Sequence, residues 1–210
     1  MPLQKPPAVK TNLPVRLIPD RVEAGVDEVG RGCLAGPVVS AAVILPADFS
    51  LPGLTDSKKL SKKQRETMDE IIRHNALAFA IGEASPEEID RLNILGATFL
   101  AMERAIKGLS TEPGYLLIDG NRFRSTLLIP FETIVKGDAA VASIAAASVV
   151  AKVYRDRLME RAAEDYPGYG WERNAGYGTS EHLQAIARLG LTPLHRRSFS
   201  PCRPTLFSAY

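Results

Sequence analysis

Residues 37–45 constrain the fold most: after Pro37 the chain reads VVSAAVIL, continuously apolar and rich in β-branched side chains. That is the pattern of a strand buried inside a sheet, because strands facing water on one side alternate polar with apolar positions. Residues 22–28 read as a preceding strand, and the intervening GRGCLAG is a connection, not a helix. Ser61 is placed to cap a helix running to about Asn75, and residues 76–84 read as a third strand. Ser85-Pro86-Glu87-Glu88 has capping-box spacing and opens a helical stretch that continues amphipathically through residues 93–107. Short strands at 115–118 and about 133–135 each end in polar punctuation, Asp119-Gly120-Asn121 and Lys136-Gly137-Asp138. An alanine-rich helix follows from residue 139 to about 164, its small side chains allowing close packing on a sheet. Thr179 or Ser180 caps a last helix through Leu189 that stops at Gly190, before an irregular tail. Early strands with helices interleaved later predict an α/β fold: a mixed β-sheet flanked by helices, with a short helical and irregular C-terminal segment.

The 210 residues suffice for one core. Residues 1–20 hold five prolines and no periodic pattern, so they read as a flexible or extended arm ahead of a single domain over 21–210. The composition, 45% hydrophobic and 24% charged, is that of a soluble protein. Apolar stretches break well short of the ~20 residues that cross a bilayer. No secretory h-region opens the chain, so a cytoplasmic location is expected, with no membrane partner. Cys33 and Cys202 lie far apart and fit free thiols; with only three histidines, no Cys/His metal cluster can be assembled by spacing.

The net charge of +2 says little, but its placement says more. TDSKKLSKKQR over residues 55–65 sets five basic side chains against Asp56, and after Glu181 there is no acid while Arg188, Arg196, Arg197 and Arg203 accumulate. Two basic runs flanking an acidic centre suggest a polyanion held across a metal site, although each run alone also suits a solvated helix face.

That acidic centre comprises Asp27, Glu28, Asp119 and Asp138, all at or just beyond predicted strand ends. Clustered carboxylates repel unless a cation compensates them, and hard oxygen ligands suit Mg²⁺ or Mn²⁺. Each acid has a plainer reading: Asp119 before Gly120 is a common turn pair, and Asp138 is a good N-cap for the alanine-rich helix. Adjacent strand residues face opposite ways, so Asp27 and Glu28 cannot both aim at one point without a bend. Just beyond them, Gly30-Arg31-Gly32 lets bare backbone and a guanidinium approach a polyanion closely.

The blocks GVDEVGRGCLAGPVV, LTDSKKLS, LLIDGN, VKGD with SIAAASVVAKVYRD, NAGYGTSEH and LHRRSF, in that order from about Ala24 to Phe199, resemble the bacterial ribonuclease HII family. The resemblance implies a ribonuclease H-like fold and an endonuclease that cuts RNA in RNA–DNA hybrids and cuts 5′ to single ribonucleotides in duplex DNA. It places Asp27, Glu28, Asp119 and Asp138 in the four metal-binding positions, serving two Mn²⁺ or Mg²⁺ ions that activate water and stabilise the departing 3′-oxygen. Products with 5′-phosphate and 3′-hydroxyl ends are expected, and roles in ribonucleotide excision, replication and repair, acting as a monomer. It also implies that Gly30, Arg31 and Gly32 sense the 2′-hydroxyl and hold the scissile phosphate, and that Tyr177 packs on the sugar following the ribonucleotide. Ser57, Lys58, Lys136, Ser148, Lys152 and Arg196 fall in matching blocks as phosphate or substrate contacts, and the segment from about 166 to 210 as a substrate-binding part of the domain. Ser148 and Lys152 share a helical face, but Lys152 is equally placed to pair with Asp156 one turn on. Trp171 and Tyr169 fit either packing or a platform. Cys33 stands where many members have proline, and Ala175 where many have lysine. The chain ends soon after LHRRSF, so duplex affinity is expected to be lower than in members with a longer C-terminal extension. Two other readings remain open: another carboxylate nuclease such as a junction resolvase, and a binding protein whose acids only neutralise its basic patches.

Overall fold

The computed structural model describes residues 13–18 and 20–203. Strand β1 (Glu23–Val29) pairs antiparallel with β2 (Val38–Ile44), which pairs antiparallel with β3 (Ala78–Ala84). On its other side β1 pairs parallel with β4 (Tyr115–Asp119), and β4 with β5 (Phe131–Ile134), giving the order β3-β2-β1-β4-β5. The mixed sheet flanked by helices is thus the observed architecture.

Strand β2 is buried at every position. Val39, Ala41 and Val43 join the core formed with helices α1 (Lys62–Asn75) and α3 (Ala142–Asp165), while Ala42 and Ile44 join the core on the other face with α2 (Pro86–Lys107). The unbroken apolar run follows from this, since period-2 alternation gives both faces of β2 a helix to cover. Alanines of α3 let it sit directly on the strands. The approach is closest at Gly25, where a Cβ would lie 2.2 Å from the Ser143 backbone.

The sequence signals at helix ends hold. Ser61 and Ser85 each form a reciprocal capping box, with Gln64 and Glu88, and Thr179 caps α5 (Ser180–Leu189). The stretch 86–107 is one helix with a kink at Asn93 (φ 58°, ψ 170°), whose Oδ1 accepts from the Leu95 and Gly96 N–H groups and restarts the helix. Two expectations fail locally. The last strand starts two residues early, at Phe131. Asp138 does not cap α3: residues Gly137–Ala139 form a 3₁₀ turn and Val141 takes the N-cap position without a side-chain bond. Sequence reasoning also missed a short helix, α4 (Trp171–Asn174).

Part of the expected arm is tied down. Leu13 and Val15 pack on the α1/α3 core, Pro14 accepts from the Ala142 N–H, and the Glu23 carboxylate accepts from the Leu17 and Ile18 N–H groups. A buried acid at the first position of β1 thus supplies acceptors that a proline-rich segment cannot find in a sheet. Residues 1–12 and 19 of that arm, and the tail beyond 203, lie outside the described residues.

Candidate active site

The carboxyl end of β1 delivers Asp27 and Glu28 to opposite faces of the sheet, as pleating requires. Asp27 lies on the α3 side, buried, and a hydrogen bond links it to the Ser148 hydroxyl; Ser148 in turn lies 2.9 Å from Ser57 Oγ. Glu28 faces the α2 side, in a cavity it shares with Arg31, Thr98, Phe99, Asp119 and Asn121. Asp119 stands at the end of the neighbouring parallel strand, and its Oδ1 accepts from Gly137 N–H at 2.7 Å. The same oxygen receives Asp138 N–H at 3.4 Å, so the 3₁₀ turn is anchored on Asp119. Asp138 and Asp119 line a second, adjoining cavity of ≈ 540 Å³ with Asp56, Lys58, Lys59 and Lys136.

The four expected acids therefore meet at one edge of the sheet, and their electrostatics register it. Burial, then the Glu28 and Asp119 charges, hold the Asp27 carboxyl well above its ordinary value, against the opposing bonds from Ser148 and the Glu28 N–H. Glu28 is raised by burial although Arg31 opposes the rise. Asp138 is raised by burial, then by Asp119 and Asp56. Among the described residues no three Asp, Glu, His or Cys side chains are closed up as a ready-made metal cage. The donor set nonetheless fits a divalent cation: every available ligand is a hard oxygen, and mutual repulsion between partly buried acids is what a cation relieves.

Beside the acids, the Gly30-Arg31-Gly32 turn, Lys58 and Tyr177 line one cleft together with Glu28. Arg31 is half-exposed and pairs with Glu28 Oε1 at 3.1 Å. The two glycines differ. Gly30 has φ +90°, and a Cβ there would strike Arg155 Nε at 2.2 Å, so the fold itself demands glycine. At Gly32 φ is ordinary and the nearest atom, Tyr177 Cε1, is 4.0 Å away. Its bare face opens on the cleft. Tyr177 is 40% exposed, forms an isolated bridge with Cys33, and its carbonyl accepts from His182 Nδ1 at 2.9 Å.

Several expected substrate contacts are internal instead. Arg196 is fully buried, its guanidinium donating to the carbonyls of Gly30, Arg31 and Gly36. Burial lowers its pKa to about 10. Its basic character in the sequence signalled solvent; the three backbone carbonyls that receive it are invisible there. Ser57 and Ser148 are buried against Asp27 rather than open to substrate. Lys152 makes the plainer contact, a 2.7 Å ion pair with Asp156. Lys58 and Lys136 remain exposed at the acid cavity. Trp171 and Tyr169 are packing residues, stacked at 5.1 Å and nearly inaccessible. They close a buried cluster in which Trp171 Nε1 donates to His182 Nε2, 3.1 Å from His195 Nε2. Burial lowers the pKa of both histidines, that of His195 to about 4. Residues that sequence reasoning passed over are Asp56, Asn121 and Arg122 beside the acids and Arg155 behind the turn.

The family model described as Ribonuclease HII matches residues 24–202. The chain belongs to the ribonuclease HII family. The Ribonuclease HII of Bacteroides thetaiotaomicron is 56% identical over 86% of this chain and 90% of its own length. Among solved structures, ribonuclease H2 from Pyrococcus horikoshii matches with a TM-score of 0.71 at 24% identity, over 86% of this chain and 94% of the other. Bst-RNase HIII in complex with Mn²⁺ matches at 0.68 and 19%, over 86% and 68%. These two likenesses bear on the fold, which they share with this chain. Membership makes the protein a metal-dependent nuclease with ribonuclease H activity, directed at the RNA of RNA–DNA hybrids. No helix among the described residues is long and apolar enough to cross a membrane.

Proposed function

We propose that this ribonuclease cuts 5′ to single ribonucleotides embedded in duplex DNA as well as within longer hybrids, leaving 5′-phosphate and 3′-hydroxyl ends. One observation carries the reading: Glu28 of the acid edge shares a cleft with the bare Gly32 backbone and the half-exposed Tyr177 ring. A site that only needed to cut any phosphodiester has no use for an opening of that kind beside its acids.

Asp27, Glu28, Asp119 and Asp138 would hold two divalent cations, Mn²⁺ or Mg²⁺. Bound there, the metal supplies activation of a water and neutralisation of the charge on the departing 3′-oxygen. The chain's own residues do the rest. Ser148, backed by Ser57, and the Glu28 N–H orient the Asp27 carboxylate from behind. Arg31 leaves Glu28 as substrate enters and takes the scissile phosphate, for which its forked donors are suited. The Gly32 backbone hydrogen-bonds the 2′-hydroxyl, the group that distinguishes RNA from DNA. Tyr177 packs on the next sugar, favouring the RNA-to-DNA junction. Lys58 and Lys136 bear on neighbouring phosphates and add affinity without sequence preference. Ribonucleotide excision during replication and repair is the setting that this substrate choice fits.

The test is incubation with Mn²⁺ or Mg²⁺ and three substrates: duplex DNA with one ribonucleotide, the same duplex with none, and a four-way junction. A single nick 5′ to the ribonucleotide is expected in the first alone. Cutting of the junction would favour a resolvase, and binding without cutting would favour a recognition module.

A further inference from the structure

Two arginines lie wholly inside the protein, and among the described residues neither forms an ion pair. A buried guanidinium without a carboxylate is costly unless its nitrogens find acceptors, and here each nitrogen of both side chains donates to a backbone carbonyl. The two differ in what they hold. Arg196 bonds only the connection between β1 and β2, at Gly30, Arg31 and Gly36. Arg155, from the middle of α3, donates to Pro37 at 3.0 Å and Ala35 at 3.0 Å in that connection, and also to Ala175 at 2.8 Å in the Tyr177 loop.

The two loops also meet through backbone bonds from Leu34 and Ala35, both ending on the carbonyl of Gly176, and through the Cys33–Tyr177 bridge. Those contacts grip the loop at Gly176 and Tyr177. A further anchor at Ala175, whose backbone is left-handed at φ 46°, holds the loop one residue earlier and ties it to α3. Arg155 provides it with a rigid planar fork lodged in α3, and the missing Cβ of Gly30 leaves room for that fork to pass.

We propose that Arg155 is a positioning residue that couples the two substrate sensors, holding Tyr177 at a fixed angle to the Gly30-Arg31-Gly32 turn and thereby setting preference for an RNA-to-DNA junction. It touches no substrate. This rests on the reading of the turn and Tyr177 as the sensors. Arg196, which bonds the turn and Gly36 but not the Tyr177 loop, serves every ribose-containing substrate alike.

The test compares kcat/KM on a duplex with one ribonucleotide and on a long hybrid, for the wild type, Tyr177→Ala, Arg155→Lys, the double variant and Arg196→Lys. Tyr177→Ala is expected to lower the embedded-to-hybrid ratio roughly tenfold, as loss of one aromatic platform does. Arg155→Lys should lower the ratio by a similar factor, and the double variant should fall within about twofold of either single one, since coupled residues are not additive. Arg196→Lys should lower both rates and leave the ratio unchanged. If Arg155→Lys does not fold, Arg155→Gln gives the same comparison, because its neutral amide keeps two donors and carries no buried charge. An Arg155 effect equal on both substrates and additive with Tyr177→Ala would overturn the coupling while leaving the sensor reading intact. A Tyr177→Ala variant with an unchanged ratio would overturn the sensor reading and the proposal together.

Discussion

The acid edge and the sensor cleft lie side by side but are built on opposite principles. Asp27, Glu28 and Asp119 stand at strand ends, positioned by the sheet's hydrogen bonds, and Asp138 on a turn anchored to Asp119; their electrostatics oppose the metal-free fold, since Asp27, Glu28 and Asp138 are all raised by burial and by one another or by Asp119. The sensors stand on loops, and the fold holds them from behind, through two buried guanidiniums that donate to six carbonyls. Rigid strands suit chemistry that needs charge fixed against its own repulsion. Loops suit recognition, provided that something removes their freedom, and here the arginines do so.

If that division is right, damage at the acid edge stops cutting and damage at the sensors changes the choice of substrate. The largest effect is expected at Asp119→Asn: turnover falls by at least about 10³-fold, or about 4 kcal/mol of transition-state stabilisation, measured as single-turnover cleavage. Retained turnover would remove Asp119 from the metal set.

The glycines sharpen the sensor side. Gly30→Ala forces a left-handed alanine into Arg155 and is expected to lose about 1–3 kcal/mol of stability from the backbone alone, read by thermal melting. Gly32→Ala meets nothing closer than 4.0 Å and should melt like the wild type, yet cleave a ribonucleotide duplex about tenfold more slowly, the worth of one hydrogen bond to the ribose. Equal cleavage by Gly32→Ala would place the ribose elsewhere. Tyr177→Ala should leave stability intact, since the ring is 40% exposed, and lose activity mainly on the embedded ribonucleotide, roughly tenfold.

The smallest effect concerns the energetic cost of the acids. A carboxyl whose pKa is raised by folding binds more protons folded than unfolded between the two values. Stability of the metal-free protein therefore falls as pH rises from Asp27's ordinary value of 3.8 through its raised one. Asp27→Asn should raise the Tm at neutral pH by roughly 2–4 °C, as about 1 kcal/mol does in a domain of this size, with the gain fading toward acid. A melt series in chelator checks this. A lower Tm for the variant at every pH would mean that Asp27 is satisfied without metal.

The two regions were also unequally legible in the sequence. The acids could be found because each lies at or just beyond the end of a strand whose apolar pattern is local, so a strand end plus a carboxylate predicts a place on the sheet edge. Helix starts at Ser61, Ser85 and Thr179 were legible for the same reason, since a cap and its partner lie three residues apart. Arg196 was misread as surface because its acceptors lie 160 to 166 positions away, and no local pattern separates a guanidinium destined for carbonyls from one destined for phosphate. Asp138 had the local look of a helix cap, but the longer-range pull of Asp119 on the Gly137 N–H made a 3₁₀ turn there instead.

The claim that cutting and choosing reside in separate regions is tested most directly by equilibrium binding of Asp119→Asn, with Mg²⁺ present, to a DNA duplex carrying one ribonucleotide and to its all-deoxy counterpart. The variant should bind the ribonucleotide duplex more tightly while cutting neither. Equal affinity for the two would contradict the account, because discrimination would then depend on the acids themselves.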